Sequence, residues 1–314
     1  MRKEILKITM HQAEEIVNNL SYSCYTIFLF HGVIPEQKHR IKNYSRKHIN
    51  LKDFHVIIKS LVKKGYPLRM NDYLSRCRTQ SELPPYSFSV TFDDGFLNNY
   101  IYAAPILEEQ GVPTIFYATS DFIQYNYMSW IDKIEYALEF YKPHTIKLPW
   151  VTDAYDLRSL ENEIRFLDEC RSAVKYRQII TDIDLVNYIY GFIDRPVIME
   201  SNDITDKKME PKHLQLINNN NLFSVGAHTK THPILSRLNQ VKINSEITDS
   251  VDYLRRCCKG SPVEHFSYPE GFIKSFDSRC YCALQKLNII TASTTIDGSN
   301  SIKPNFFKLK RKMI

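Results

Sequence analysis

Apolar and polar positions along this chain follow two periods, and the change from one to the other marks out its elements. The run Tyr25-Thr-Ile-Phe-Leu-Phe-His31 is nearly unbroken apolar sequence and too short for a helix. It predicts a buried strand ending at Gly32, with His31 delivered at its C-terminal end. An amphipathic helix is predicted ahead of it, around Gln12 to Leu20. From Leu51 to about Lys64 the period lengthens: Ile57, Ile58, Leu61 and Val62 share one face, Asn50 can cap the start, and Gly65 the stop. The stretch from Arg76 to Tyr86 is polar and holds Pro84-Pro85, so it predicts a connector. Ser87 to Phe92 then predicts a buried strand, Asn98 to Gln110 a helix ended by Gly111, and Thr114 to Ala118 another strand. This strand, helix, strand order sets Asp93 and Asp94 on a strand-to-helix loop, where α/β enzymes keep their chemistry.

From about 128 to 220 the helical period dominates, with helices predicted over Ser129 to Phe140, Leu160 to Tyr176, Asp182 to Ile193 and Pro211 to Asn219. Strand signals resume only at Leu222 to Val225, so this stretch is expected to be a helical insertion within a single domain spanning 1–314. Beyond His232 the pattern predicts a helix over Asn239 to Arg256, a strand over Glu264 to Tyr268 and a helix over Phe276 to Lys286. A strand over Ile289 to Ala292 and a short last one over Phe306 to Leu309 follow. No internal repeat is evident. About seven strands with intervening helices give an α/β fold close to a barrel.

Composition adds bounds. With 314 residues and 43% hydrophobic content, the chain can bury a full core and is neither disordered nor of low complexity. The balance of 41 basic against 35 acidic residues gives +6. The charge gathers in short clusters at Arg2-Lys3, Arg46-Lys47-His48, Lys207-Lys208 and Lys308 to Lys312, which are read as solvated surface. A positive field also suits an acidic glycan, a nucleotide-linked sugar or an anionic membrane surface. Nucleic-acid binding rests on charge alone, because no aromatic comb accompanies the clusters. Seven cysteines, an odd number without repeated Cys-x-x-Cys spacing, fit a reducing compartment. The opening residues are basic but hold no unbroken apolar segment, and no stretch reaches membrane-spanning length, so a cytoplasmic location is expected, with contact at the inner membrane face as a variant.

The chemistry concentrates in Thr91-Phe92-Asp93-Asp94-Gly95 and His228-Thr229-Lys230-Thr231-His232. Adjacent carboxylates are costly without a cation or a proton to share. The natural division is one carboxylate on a metal and the other free to take a proton from water. The two histidines could be core or surface residues, but their spacing puts both on one helical face, or within reach of one ion in a tight loop. With Asp94 they make a two-histidine, one-aspartate set that suits zinc and also accepts cobalt, nickel or iron. Such an ion lowers the pKa of a bound water by up to ~9 units and polarises a carbonyl, the machinery of amide or ester hydrolysis.

On these motifs the chain resembles the NodB-homology polysaccharide deacetylases, carbohydrate esterase family 4, whose fold is a distorted (β/α)7-type barrel. The resemblance implies that Asp93 is the general base and that Asp94, His228 and His232 hold one divalent ion, with zinc first. The family's third motif corresponds to Ser267-Tyr268-Pro269-Glu270-Gly271, which makes the Glu270 backbone N–H an oxyanion donor and puts Tyr268 and Pro269 against substrate. The arginine that orients the base in many members is replaced by Ser267, leaving the tuning of Asp93 open. The usual C-terminal Leu-x-His motif is absent, and Leu29-Phe30-His31 matches it at the other end of the chain. This resembles a circularly permuted subset in which His31 is the general acid. Trp130, with Asp132-Lys133, resembles a segment frequent in members with this insertion, and it is a further substrate-binding candidate. Tyr125, Tyr127 and Trp150 are read as packing residues ahead of sugar-stacking ones.

The implied activity is metal-dependent removal of an N-acyl group, most simply N-acetyl, from an amino sugar in a cell-surface polysaccharide or its nucleotide- or lipid-linked precursor. N-deformylation and O-deacetylation use the same geometry. A non-catalytic carbohydrate-binding barrel is the reading from another class, and Ser267 in the arginine position leans towards it.

Overall fold

The computed structural model describes residues 10–314 of the chain. The basic pair Arg2-Lys3 lies outside the described residues. The first helix runs over Met10–Asn18, two residues earlier at each end than its expected span.

A curled parallel sheet forms the centre. Its strands lie in the order Thr291–Ser293, His265–Ser267, Phe223–Ala227, Thr114–Ala118, Ser87–Phe92, Thr26–Phe30 and Lys312–Met313, with Tyr66–Pro67 pairing beside Ser87–Phe92. The central strands are buried on both faces, as parallel strands covered by crossover helices must be. The expected distorted barrel is therefore present as a curled, incomplete one. The last strand is Lys312–Met313 and not the predicted Phe306 to Leu309. Leu309 makes a single bridge to Ser293 while Lys312 pairs with Phe28, so the C-terminal segment touches both edges of the curled sheet.

Two local departures have simple causes. Met70–Thr79 is a helix that takes in the start of the expected connector, because Met70, Tyr73, Leu74 and Cys77 fall on one face and are buried together. The helix after the paired aspartates begins as a π-type turn over Asn99–Ala103 and continues as Ala104–Glu109. Pro105 supplies no N–H to a continuous ladder there.

The main core lies between the sheet and the helices Leu51–Lys64, Gln240–Cys257 and Ser278–Lys286. Asn50 caps the first of these by accepting the Lys52 N–H at 2.9 Å. The helices Trp130–Tyr141, Leu160–Ser172 and Asp182–Phe192 build a second core around Ile134, Leu138, Phe166, Leu167 and Ile189. Ile41, from the loop after the first sheet strands, is buried in it and ties the two layers together.

His265 is buried, 2.8 Å from the Thr291 hydroxyl, and burial pushes its pKa down to about 4. The unfolded chain binds this proton more readily, so stability is full above the ordinary histidine value and falls as pH drops from there towards 4. The difference amounts to roughly 3 kcal/mol at the acid end. A His265→Gln protein is expected to lose this slope in a series of thermal melts. An unchanged slope would show that other groups set it.

Candidate active site

Strand register assembles the site. Phe30 pairs with Phe92, Ala118 with Ala227, and Phe266 with Ala227, so His31, Asp93 and His228 all leave the same end of the sheet. The Asp93 N–H still donates to the Phe30 carbonyl at 3.1 Å. Asp94 and Gly95 then turn the chain with φ of 71° and 73°. Gly95 suits this left-handed position, and a Cβ there would also press on Ile123 Cδ1 at 2.8 Å, so that side chain would have to shift.

The His228 to His232 segment is a tight loop, the second of the two arrangements its spacing allowed. Thr229 and His232 have left-handed backbones, and the Thr229 hydroxyl accepts the His232 N–H at 3.0 Å. The Glu246 carboxylate accepts the N–H groups of Lys230 and Thr231 at 3.0 and 2.9 Å and the Thr231 hydroxyl at 2.7 Å. The loop is thus pinned from the helix Gln240–Cys257.

These turns bring Asp94, His228 and His232 together, one donor atom from each lying within 4.8 Å of the others. His228 Nε2 is 3.6 Å and His232 Nε2 3.4 Å from Asp94 Oδ1. His228 Nδ1 sits 2.7 Å from the Ser267 carbonyl, which requires the proton on Nδ1 and leaves Nε2 as a lone-pair donor. Asp94 Oδ1 is buried with no hydrogen-bond partner among the described residues. An orphaned carboxylate oxygen facing two imidazole nitrogens fits a divalent ion. Burial alone would raise the Asp94 pKa, but His232, His31 and His228 override it and hold the carboxyl well below its usual range.

Asp93 stands apart from this set and is held from the far end of the chain. Arg311 donates from Nη1 to Asp93 Oδ1 at 2.8 Å and from Nη2 to Oδ2 at 2.7 Å. The same guanidinium donates to the Thr91 and Ser267 hydroxyls at 3.2 and 2.9 Å, and its Nε to the Thr294 carbonyl at 2.7 Å. Ser267 in turn donates to Asp93 Oδ2 at 3.2 Å. Burial would raise the Asp93 pKa; Arg311 and His228 outweigh it, so the carboxyl stays below its ordinary value. The guanidinium that the Ser267 substitution left in doubt is therefore present in space, supplied by Arg311. Its place inside the basic run Lys308 to Lys312 hid it in the sequence.

For Arg46-Lys47-His48 and Lys207-Lys208 the surface reading fails in part: Arg46 stays exposed, while His48 and Lys208 are buried. Lys208 is 1% exposed, with Nζ 3.3 Å from the centre of the Phe96 ring and 3.9 Å from Asp132 Oδ2. Burial pushes its pKa down to about 8. Lys47 is largely buried and donates to Asp132 Oδ1, and His48 is buried against Phe96 and Asn98. Asp132 lies near the start of the helix Trp130–Tyr141, so the Trp-x-Asp segment anchors this helix to the loops around the site. Trp130 itself packs on the second core.

His31 is partly exposed next to this group. Burial holds its pKa below the ordinary histidine value, and Asp94 and Asp93 offset this only in part. Glu270 has φ of 62°, and its N–H donates no hydrogen bond among the described residues. Its carboxylate accepts from Lys175 Nζ at 2.7 Å. Pro269 is buried, and its carbonyl accepts the Gly271 N–H at 2.7 Å. Tyr268 offers no stacking face: it is 1% exposed, lies flat on Phe276 with ring centres 4.0 Å apart, and donates its hydroxyl to the Phe307 carbonyl at 3.1 Å. The apolar ring fills the core beneath the loop, because the Ser267 strand points it inward. Tyr125 and Tyr127 stack on each other at 5.0 Å, and Trp150 Nε1 donates to Glu169 at 2.6 Å.

Solved structures share this fold along nearly the whole chain. The Streptococcus pyogenes deacetylase PplD, determined in complex with acetate, has a TM-score of 0.58 at 15% identity, with 94% of this chain and 93% of that one covered. IcaB from Ammonifex degensii gives 0.57 at 13% identity, with 94% of each chain covered. A de-N-acetylase from Aggregatibacter actinomycetemcomitans gives 0.58 at 13% identity, over 92% of this chain and 94% of its own. No curated protein matches the chain in sequence. The family profile described as polysaccharide deacetylase, however, matches residues 80–289 of the 314, a span that includes both the Asp93-Asp94 and the His228 to His232 motifs. The chain belongs to the polysaccharide deacetylase family.

Proposed function

We propose that this protein hydrolyses an N-acyl group, N-acetyl first, from an amino sugar of a cell-surface polysaccharide or its precursor. The observation that carries this reading is Asp93: a buried carboxylate beside the three metal-fitting side chains, not among them, and kept charged by Arg311. A merely structural ion would need no second carboxylate so held. Arg311 also removes the argument for a non-catalytic barrel that Ser267 offered. The likeness in fold to a de-N-acetylase and to a deacetylase determined in complex with acetate supports an acetamide substrate.

Asp94, His228 and His232 would hold the ion, which supplies polarisation of the acyl carbonyl and a more acidic water. Asp93 accepts the proton of the attacking water. The Glu270 N–H faces the negative charge that develops on the carbonyl oxygen in the tetrahedral state. His31 gives a proton to the departing amine; burial leaves its pKa below the ordinary value, and Asp94 and Asp93 offset only part of that effect. His31 follows a strand beside that of Asp93, which supports the permuted placement of the Leu-x-His motif at Leu29-Phe30-His31. In this reading 1–314 is one catalytic domain and residues from about 128 to 220 are inserted into it. Zinc is the first choice of metal for the donor set. All seven cysteines are unpaired, which supports a reducing compartment, and no helix among the described residues is long and apolar enough to cross a membrane.

The test is product analysis. Metal-reconstituted protein is expected to release acetate and expose an amine from N-acetylated sugars offered free, nucleotide-linked and polymeric. Formate from N-formyl sugars, or acetate without a new amine, would move the activity to the neighbouring classes. Sugar binding without either product would leave a binding protein. Asp94→Ala is expected to abolish metal retention, read by elemental analysis, and turnover with it.

A further inference from the structure

The backbone just past His31 is gripped by buried polar groups that the mechanism above does not use. After His31 the chain enters a short strand, Gly32–Ile34, which pairs in parallel with His48–Asn50 and sets Gly32 opposite His48. Asn98 follows Asp94 by four residues, is fully buried, and reaches across to this strand: its Oδ1 accepts the Val33 N–H at 3.2 Å. Its Nδ2 donates to the Ile204 carbonyl at 3.0 Å and lies 3.1 Å from His48 Nδ1. The two backbone partners fix which way the amide points, because a flipped amide would set its NH2 against an N–H and its oxygen against a carbonyl. His48 Nδ1 therefore accepts from Asn98, and burial, with the Lys47 charge beside it, keeps that imidazole neutral as an acceptor must be. Gly32 closes the contact: a Cβ there would lie 1.8 Å from His48 Nδ1 and 2.8 Å from Asn98 Oδ1. An asparagine at the start of a helix ordinarily caps it, yet the Asn98 side chain caps nothing in the turn Asn99–Ala103 and is spent on the strand after His31.

We propose that Asn98 is a positioning residue for His31: its amide ties the backbone that carries the acid to the turn that carries Asp93 and Asp94. This rests on the reading of His31 as the group that protonates the departing amine. None of the three Asn98 hydrogen bonds goes to Asp93 or to the metal-fitting side chains, so it acts on the reaction only through where it holds the Gly32-Val33 backbone. Proton transfer to the leaving nitrogen needs the imidazole within hydrogen-bond reach, and a misplacement of about 1 Å is enough to spoil it. Base and acid stand on neighbouring strands, but the loops that follow diverge, and Asn98 is the side chain that bridges them. The Ile204 carbonyl anchors the same amide to the segment that leads out of the helical insertion.

The test separates leaving groups on the intact, metal-loaded protein. Two acetyl compounds are compared: 4-nitrophenyl acetate, whose phenolate leaves without a proton, and a β-1,4-linked N-acetylglucosamine tetramer, whose amine leaves only once protonated. Asn98→Ala is expected to lower kcat for the tetramer about 10- to 100-fold, while the ester rate falls by less than about twofold. His31→Ala should show the same selectivity more strongly, and metal content by elemental analysis should stay at the wild-type level in both. The double variant His31→Ala, Asn98→Ala should be no slower on the tetramer than His31→Ala alone, because the amide acts through the histidine. Multiplied losses in the double variant, an equal loss on ester and tetramer, or loss of metal overturns the proposal and makes Asn98 a general brace of the site. If removal of three hydrogen bonds unfolds Asn98→Ala, the isosteric Asn98→Asp keeps the shape but sets a carboxylate oxygen against the Ile204 carbonyl, and the same selective loss is expected. Crystal structures give a readout besides rate: the His31 imidazole should move in the variant while Asp93 and Asp94 stay, and an unmoved His31 overturns the proposal. A His31→Ala protein that loses ester and tetramer rates alike sinks the acid reading and the proposal with it. Selective loss in His31→Ala but not in the Asn98 variants removes Asn98 alone.

Discussion

Asp93→Asn protein, folded and loaded with metal, is expected to lose about 10² to 10⁴ of kcat, the range a positioned general base supplies. The amide keeps the shape of the carboxylate and one acceptor for Arg311, so KM should change little. Metal content should stay at the wild-type level, since Asp93 is not one of the three clustered side chains. A variant that keeps wild-type turnover would remove Asp93 from the mechanism. A variant that loses metal as well as turnover would make it a ligand, and the division between the two aspartates would have to be redrawn.

Arg311→Met should act on both stability and rate, and in a diagnostic way. Removing one partner of a buried, bidentate pair leaves Asp93 as an uncompensated buried charge, which costs about 3–5 kcal/mol of stability. Without the guanidinium the largest opposing charge is gone while burial remains, so the Asp93 pKa rises. The base is then protonated at a higher pH than in the wild type, and the acid limb of kcat/KM moves upward. Activity lost at pH 7 should therefore recover in part at higher pH, which a residue with only a structural role would not produce. In stability terms the sign is the same. With Arg311 present, the depressed Asp93 contributes stability above the unfolded aspartate pKa, and this is lost as pH falls through the folded value. The double variant Arg311→Met, Asp93→Asn should be more stable than Arg311→Met alone, because no charge is left unpaired. If the pH profile of Arg311→Met keeps its shape, the arginine is a strut and not the group that tunes the base.

Much of this protein is legible in local pattern. The short apolar runs at Thr26–Phe30, Ser87–Phe92 and Thr114–Ala118 are buried strands, and the motif residues stand at the strand ends where the pattern put them. The grouping of Asp94, His228 and His232 follows from motif spacing, because each lies within a few residues of a strand whose neighbours are fixed by register. The curled sheet follows from strand and helix order.

What local pattern could not decide is which charges are buried. Arg46-Lys47-His48, Lys207-Lys208 and Lys308 to Lys312 look alike in sequence, as short hydrophilic runs. In each, the fold takes one or two members inside and leaves the others in water. Lys47 and Lys208 meet Asp132 from the helical insertion, and Arg311 meets Asp93 from the other end of the chain. Tyr268 shows the same limit from the apolar side, since only Phe276 and the Phe307 carbonyl make it a core residue. A strand or a helix turn is set by neighbours a few positions away and is written in periodicity. The burial of a charge depends on an opposite charge that another segment brings within hydrogen-bond reach, and that pairing exists only once the sheet has curled and its last strand has closed against the first.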